Sequence, residues 1–284
     1  MCLMHLLLSV ALTGTADYPR KELLIEPADL ARMPGQFLVL DVRAKPRYLQ
    51  GHIPNSVWID AELWSQSFAR HQDPGKWAML LGGAGIDPGK RIVIYDAALA
   101  KDAARIWWIL RYWGCEDVRL LNGGWPGWLD RELPVDKEPA TPAKLKIELG
   151  KARSRLFATK QSVLDALKEK KTQLIDARSA AEHCGAAKLA RRGGGIPGAI
   201  HLEWSDLVDK KTQRFKGPDE LLRIFKTAGI DLAAPAIAHC QSGGRSSVMA
   251  FAMELMGAGN VANYYRGWSE WGNAEDTPVV VPKK

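Results

Sequence analysis

Short runs that are apolar at every position alternate along this chain with stretches whose apolar residues return every three or four places. Leu38-Val39-Leu40, Ile92-Val93-Ile94-Tyr95, Leu174-Ile175 and Pro235-Ala236-Ile237-Ala238 are runs of the first kind. They are too short for helices and lack polar alternation, so they predict strands of a parallel sheet covered on both faces. Val248, Phe251, Ala252 and Leu255 form one helical stripe. A second helix is predicted to begin at Ala61-Glu62-Leu63-Trp64, with Asp60 as its cap. Strands alternating with helices define an α/β fold.

The pattern occurs twice. Leu38-Val39-Leu40-Asp41-Val42-Arg43 is echoed by Leu174-Ile175-Asp176-Ala177-Arg178, and Gly51-His52-Ile53-Pro54 by Gly194-Gly195-Ile196-Pro197. Ala84-Gly85-Ile86-Asp87 returns as Ala228-Gly229-Ile230-Asp231, and Gly124-Trp125-Pro126-Gly127-Trp128 as Gly267-Trp268-Ser269-Glu270-Trp271. The order is the same in both halves, which predicts two copies of one domain. The Pro-rich, charged stretch from Leu133 to Pro142 separates them. We therefore divide the chain into 18–133, a linker 134–154, and 155–284.

Chemistry concentrates at Cys240-Gln241-Ser242-Gly243-Gly244-Arg245, between a predicted strand and a predicted helix. A strand, a tight loop and a helix start gather free backbone amides into an anion cradle. Helix dipole and arginine both favour a thiolate over a thiol there. Four residues separate Cys240 from Arg245. Cysteine-dependent phosphatases, which the segment resembles, place five there and wrap a phosphate; the shorter ring suits a single extra sulfur atom. In the first half, Asp96 and Lys101 stand where Cys240 and Arg245 stand, each 144 residues earlier. An aspartate cannot carry sulfur, so the first half is expected to be catalytically inactive.

Together, the Asp-x-Arg strand ends, the His-Ile-Pro turn, the six-residue loop and the closing Gly-Trp-x-x-Trp resemble the tandem rhodanese family of sulfurtransferases. The resemblance covers nearly the whole chain. It implies two tandem domains, each a central parallel sheet flanked by helices, with Cys240 as the nucleophile and Gln241, Ser242, Gly243, Gly244 and Arg245 as the substrate-binding loop. It also implies sulfur transfer through a Cys240 persulfide, from a small anionic donor (thiosulfate, with 3-mercaptopyruvate as the alternative) to a thiol or cyanide. A protein sulfur carrier and a phosphatase-like enzyme are the other readings of the scaffold. No cofactor or metal is expected, since the chain lacks Cys-x-x-Cys and His-Glu-x-x-His spacings.

Further candidates are weaker. Ser242 is placed either to hydrogen-bond the Cys240 sulfur or to stabilise the turn. Asp60 also matches an aspartate that mercaptopyruvate enzymes use with the loop. Arg178 is expected to anchor its strand end through a buried ion pair, and His239 to point away from the nucleophile. Many family members bind the donor with an arginine four residues after the Asp-x-Arg arginine. Here that position is Glu182, while Arg47 fills it in the inactive half. Arg191 and Arg192 are the candidates for the missing charge. Cys184 follows the second Asp-x-Arg strand and is a candidate oxidative partner of Cys240.

Composition adds limits. The chain has 284 residues, enough for two cores, and a net charge of +7 that favours small anions. Its Lys and Arg are dispersed and no nucleic-acid recognition motif accompanies them, so no nucleic-acid partner is expected. Of eleven tryptophans, Trp107, Trp108, Trp113, Trp125 and Trp128 crowd the first half and are expected in cores or between domains. The apolar run Leu3 to Leu12 is too short to span a bilayer and no Lys or Arg precedes it. Thr13 to Ala16 would suit cleavage of an export signal, so 1–16 is read either as a signal peptide or as a terminal extension. A reactive thiol favours the cytoplasm. The protein is expected to be a monomer without a membrane span.

Overall fold

The structure, a computed structural model, describes residues 17–70 and 72–282, so the Leu3 to Leu12 run lies outside the described residues. The first sheet holds β1 (Leu24–Ile25), β2 (Leu38–Asp41), β3 (Val57–Trp58), β4 (Ile92–Tyr95) and β5 (Val118–Leu121), all parallel, in the order β1-β5-β4-β2-β3. The second holds β6 (Gln173–Asp176), β7 (Ile200–His201), β8 (Ala236–His239) and β9 (Val261–Tyr264), in the order β7-β6-β8-β9. Its missing edge strand survives as a parallel bridge from Phe157 to Asn263, the counterpart of Leu24 beside Leu120. The two halves thus share one topology. The strands are covered on both faces, as their unbroken apolar runs require.

Helices α1 (Pro27–Ala31), α2 (Lys45–Gln50), α3 (Ala61–Arg70), α4 (Pro74–Gly83), α5 (Lys101–Tyr112) and α6 (Gly124–Leu129) flank the first sheet. Helices α7 (Lys160–Glu169), α8 (Ala180–His183), α9 (Pro218–Ala228), α10 (Gly244–Leu255) and α11 (Gly267–Trp271) flank the second. Asp60 caps the start of α3, its Oδ1 accepting the Leu63 N–H at 2.9 Å. Between Leu129 and Ser154 the chain is irregular and clings to the first half. Leu145 N–H donates to Gly82 O at 2.9 Å, and Asp136 bridges His52.

The helices that follow the two equivalent loops, α5 and α10, pack against each other. Trp107 meets Phe251 edge to face, 4.9 Å between ring centres, and Phe215 packs on the other side of Phe251. A buried ion pair, Arg111 to Glu254 at 3.3 Å, crosses the same face. One apolar core runs through the interface, and a smaller core lies on the outer face of each sheet. Trp107, Trp108, Trp113 and Trp128 are all buried in these cores, and Trp125 packs partly buried beside Arg43.

Phe251 is fully buried between the halves, so Phe251→Ala removes contacts on both sides of the interface. We expect a loss of about 3–5 kcal/mol, read as a lower urea midpoint.

Candidate active site

β8 ends at His239, and the chain turns at once through Cys240 to Gly243 before α10 begins. The turn needs a left-handed residue at Gly243 (φ 88°), and a Cβ there would lie 2.5 Å from the Tyr265 ring. A Cβ on Gly244 would collide with the guanidinium of Arg105, which reaches across from α5. The loop's two glycines are therefore fitted against an aromatic ring of their own half and a cation of the other. Tyr265 and Arg105 both bond the Ser65 hydroxyl of α3, Tyr265 at 3.0 Å.

The closing Gly-Trp-x-x-Trp motif supports the same loop from behind. Trp268 N–H donates to Cys240 O at 2.8 Å and Ser269 N–H to Gln241 O at 3.0 Å. Gly267 lies so close to the Cys240 carbonyl that no side chain fits. Beneath the loop, Asn263 donates to Gly243 O at 3.1 Å and to Ser247 Oγ at 3.0 Å, with every partner buried.

Cys240 itself is buried, with 1% of its surface exposed. Ser246 Oγ lies 3.4 Å from its sulfur and 2.8 Å from Asn263 Oδ1. A hydroxyl has one proton, so it can turn from the asparagine to a sulfur that gains charge. Arg245 is held in a two-point ion pair by Glu182, at 2.5 and 2.8 Å. Burial opposes the Arg245 charge, but Glu182 and the Cys240 sulfur outweigh it and hold the pKa above the usual arginine value. Burial likewise raises the Glu182 carboxyl, and Arg245 more than reverses that.

The first half shows what such a loop holds. The Asp96 carboxylate turns inward and accepts four backbone N–H groups: Ala98 and Ala100 at 3.1 Å, Asp102 at 2.9 Å and Ala103 at 3.1 Å. Burial nevertheless raises its pKa. The equivalent amides in the second loop belong to Ser242, Gly244, Ser246 and Ser247. Ser247 N–H is returned to Gly243 O at 3.0 Å; the other three face no carboxylate. A cavity of about 590 Å³ opens beside the first loop, lined by Arg43, Arg47, Asp96 and Trp125. No cysteine lines it.

A buried charge cluster fixes the neighbouring strand ends. Arg178 pairs with Asp176 at 2.6 Å, donates to Gly194 O at 2.7 Å and stacks on Trp268. This is the anchoring expected of it; Arg43 and Asp41 repeat it in the first half. His183 Nδ1 lies 2.8 Å from Asp176. His239 is buried, with Nε2 3.8 Å from Asp176 and neither ring nitrogen hydrogen-bonded. Burial pushes its pKa down to about 4, with Arg178 adding to that and Asp176 opposing. Burial raises the Asp176 carboxyl, yet His239, His183 and Arg178 hold it well below the usual range.

The other candidates separate. The Ser242 side chain is exposed, and hydrogen-bonding to the sulfur is done by Ser246, which the sequence reading missed. Asp60 caps α3. Arg192 is turned into the C-terminal segment, where it donates to the carbonyls of Trp271, Ala274 and Thr277, so it supplies no free charge to the loop. Arg191 is exposed, and its backbone N–H meets Asn273. Gln241 donates to Leu189 O at 3.1 Å. Cys184 is a free thiol at the end of α8, its sulfur 3.7 Å from Ala181 O. Arg105, Tyr265 and Asn263 were also missed. Only the Ser after Arg245 carried a local signal; the other three lie far from the loop in sequence.

The Rhodanese-like domain profile matches twice, over residues 26–131 and 159–274, and the chain belongs to that family. The thiosulfate sulfurtransferase of Pseudomonas aeruginosa is 34% identical over 272 residues, covering 91% of this chain and 97% of that protein. The 3-mercaptopyruvate sulfurtransferase of Escherichia coli is 33% identical over 258 residues, covering 88% of this chain and 90% of its own. The anaerobic ergothioneine biosynthesis enzyme of Chlorobium limicola, solved with trimethyl histidine, shares the fold: TM-score 0.82 at 23% identity, over 94% of this chain and 72% of that one.

Gly243→Ala places a Cβ on the Tyr265 ring at a left-handed residue, so we expect a folded protein with at least about tenfold lower transfer activity. His239 generates a pH dependence. Its folded pKa near 4 lies below an unfolded value of about 6.5, so the unfolded chain takes up the proton first as pH falls. Its contribution to stability is complete above pH 6.5 and is lost towards pH 4, by an amount on the order of 3 kcal/mol. Urea midpoints of His239→Leu across that window should vary less with pH than those of the wild type.

Proposed function

We propose that the protein is a thiosulfate sulfurtransferase that works through a persulfide on Cys240. The observation that carries this reading is the Asp96 carboxylate held by four amides in the inactive loop. The corresponding loop around Cys240 has the Ser242, Gly244 and Ser246 N–H groups to present to a terminal sulfur anion. The Cys240 thiolate attacks the outer sulfur of thiosulfate; the sulfur–sulfur bond breaks and sulfite leaves with the electron pair. The persulfide is stabilised by the loop amides and Arg245, as preorganised dipoles stabilise any charge that develops against them. A thiol or cyanide then takes the terminal sulfur and regenerates the thiolate. 3-Mercaptopyruvate is the second donor, favoured by the extent of the Escherichia coli match.

The reading includes Gln241, Ser242, Gly243, Gly244 and Arg245 as the loop around the donor, with Asp60, Arg178 and Arg191 as supporting residues. It also includes the division 18–133, 134–154 and 155–284, which agrees with the two profile matches and the irregular segment between them. We take the protein as a monomer acting in the cytoplasm, where a reduced nucleophile persists. Among the described residues no helix is long and apolar enough to cross a membrane.

Thiocyanate formation from thiosulfate and cyanide should be present in the wild type and lost, by at least about a thousandfold, in Cys240→Ser. Absence of turnover with both thiosulfate and 3-mercaptopyruvate, from folded protein with a reduced Cys240, would overturn the reading.

A further inference from the structure

Several of the charged groups around the active loop are paired. Arg245, the loop's own cation, is held at two points by Glu182, whose side chain is only 7% exposed. Arg178 is paired with Asp176, while Arg192 keeps its charge as it donates to backbone carbonyls. A further cation is Arg105, from the other half of the chain. Its guanidinium abuts Gly244 and bonds the Ser65 hydroxyl, and its buried Nε has no partner. Among the described residues no carboxylate pairs with it. The loop is thus flanked by positive charge that no carboxylate pairs, and the carboxylate of Glu182 occupies the oxyanion seat on Arg245.

From this arrangement we infer that Glu182 tunes donor specificity: by neutralising Arg245 it lowers the use of dianionic thiosulfate more than that of singly charged sulfane donors. The inference rests on the sulfurtransferase reading and names the donor class within it. A singly charged thiosulfonate gives up its outer sulfur to the Cys240 thiolate and departs as a sulfinate; one sulfur–sulfur bond breaks, one forms, and charge is conserved. Thiosulfate undergoes the same exchange but carries a second negative charge past Glu182. The energy of a fixed charge with a ligand is proportional to the ligand's charge, so the penalty enters the rate once for a monoanion and twice for a dianion.

The test is Glu182→Gln. Glutamine still accepts the Ser179 hydrogen bonds of the α8 capping box, so helix geometry is kept while the charge goes. Cys240 persulfide formation is followed by mass spectrometry with thiosulfate and with benzenethiosulfonate, in wild type and variant. The gain on thiosulfate should be the square of the gain on benzenethiosulfonate, roughly 100-fold against roughly tenfold. Equal gains, or none, overturn the inference while leaving the sulfurtransferase reading in place. If neither donor loads Cys240 in either protein, although iodoacetamide still alkylates it, the sulfurtransferase reading fails and the inference falls with it. A second measurement is protection of Cys240 from iodoacetamide in both proteins: Glu182→Gln should lower the protecting concentration of sulfate more than that of methanesulfonate, and equal shifts or none overturn the inference.

Discussion

The packing of α5 on α10 is the constraint on which the rest depends. Each helix starts from the loop that ends a central strand, so bringing the two helices together brings the two loop regions together as well. Arg105 is thereby carried onto Gly244, and Ser65 is brought to Tyr265. The first half, with Asp96 at the position of Cys240, supplies side chains that the other half's loop is built against. This gives a physical reason for keeping both copies. The fully buried Trp107 and Phe251 seal the contact, and Arg111 with Glu254 fixes its register at a buried ion pair whose desolvation makes misalignment costly.

The two loops are solutions to one problem. Each gathers amides that point inward, and buried amides need an acceptor. The first loop supplies its own in Asp96, at the cost of two non-glycine residues, Leu99 and Ala100, in left-handed conformations. The second uses glycine at the corresponding left-handed position and carries a sulfur where the first has a carboxylate. The first loop is therefore closed on an anion of its own, and it differs from the second both in that side chain and in the backbone at Ala100, left-handed where its counterpart Gly244 opens α10.

Much of this was legible in the sequence, for identifiable reasons. Unbroken apolar runs such as Ile92 to Tyr95 can be satisfied only in a covered parallel sheet, and the ordered repeat dictated two copies of it. Cys240, Arg245 and the glycines were legible because loop chemistry is local. Arg178 was legible because Asp-x-Arg puts both charges at one strand end. What escaped is contact across long separations: Arg105 is 139 residues from Gly244, and Ser65 is 200 from Tyr265. Ser246 escaped for a different reason. Ser242 lies nearer the nucleophile in sequence, whereas helix geometry turns the serine of the first turn back towards the sulfur. The two arginines offered for the missing charge illustrate the limit of composition, since Arg192 serves carbonyls and only its fold shows it.

The net charge of +7 and the Glu182 carboxylate beside the loop act in different directions, and the difference has a mechanistic meaning. A positive surface raises the encounter rate of any anion, thiosulfate included, and does so through a field that salt screens. Discrimination between donors, by contrast, arises where water is excluded, and there Glu182 is worth more than several distant lysines. Its buried position beside Arg245 lets one carboxylate act on the donor at short range and reduced dielectric. Attraction and selection are thus separated in space: the surface gathers anions through a screened field, and the loop selects among them at short range. A site in which Arg245 stood unpaired would bind dianions tightly and hold the departing sulfite equally well. Pairing it with Glu182 weakens both, so the leaving group is released as readily as the donor is filtered.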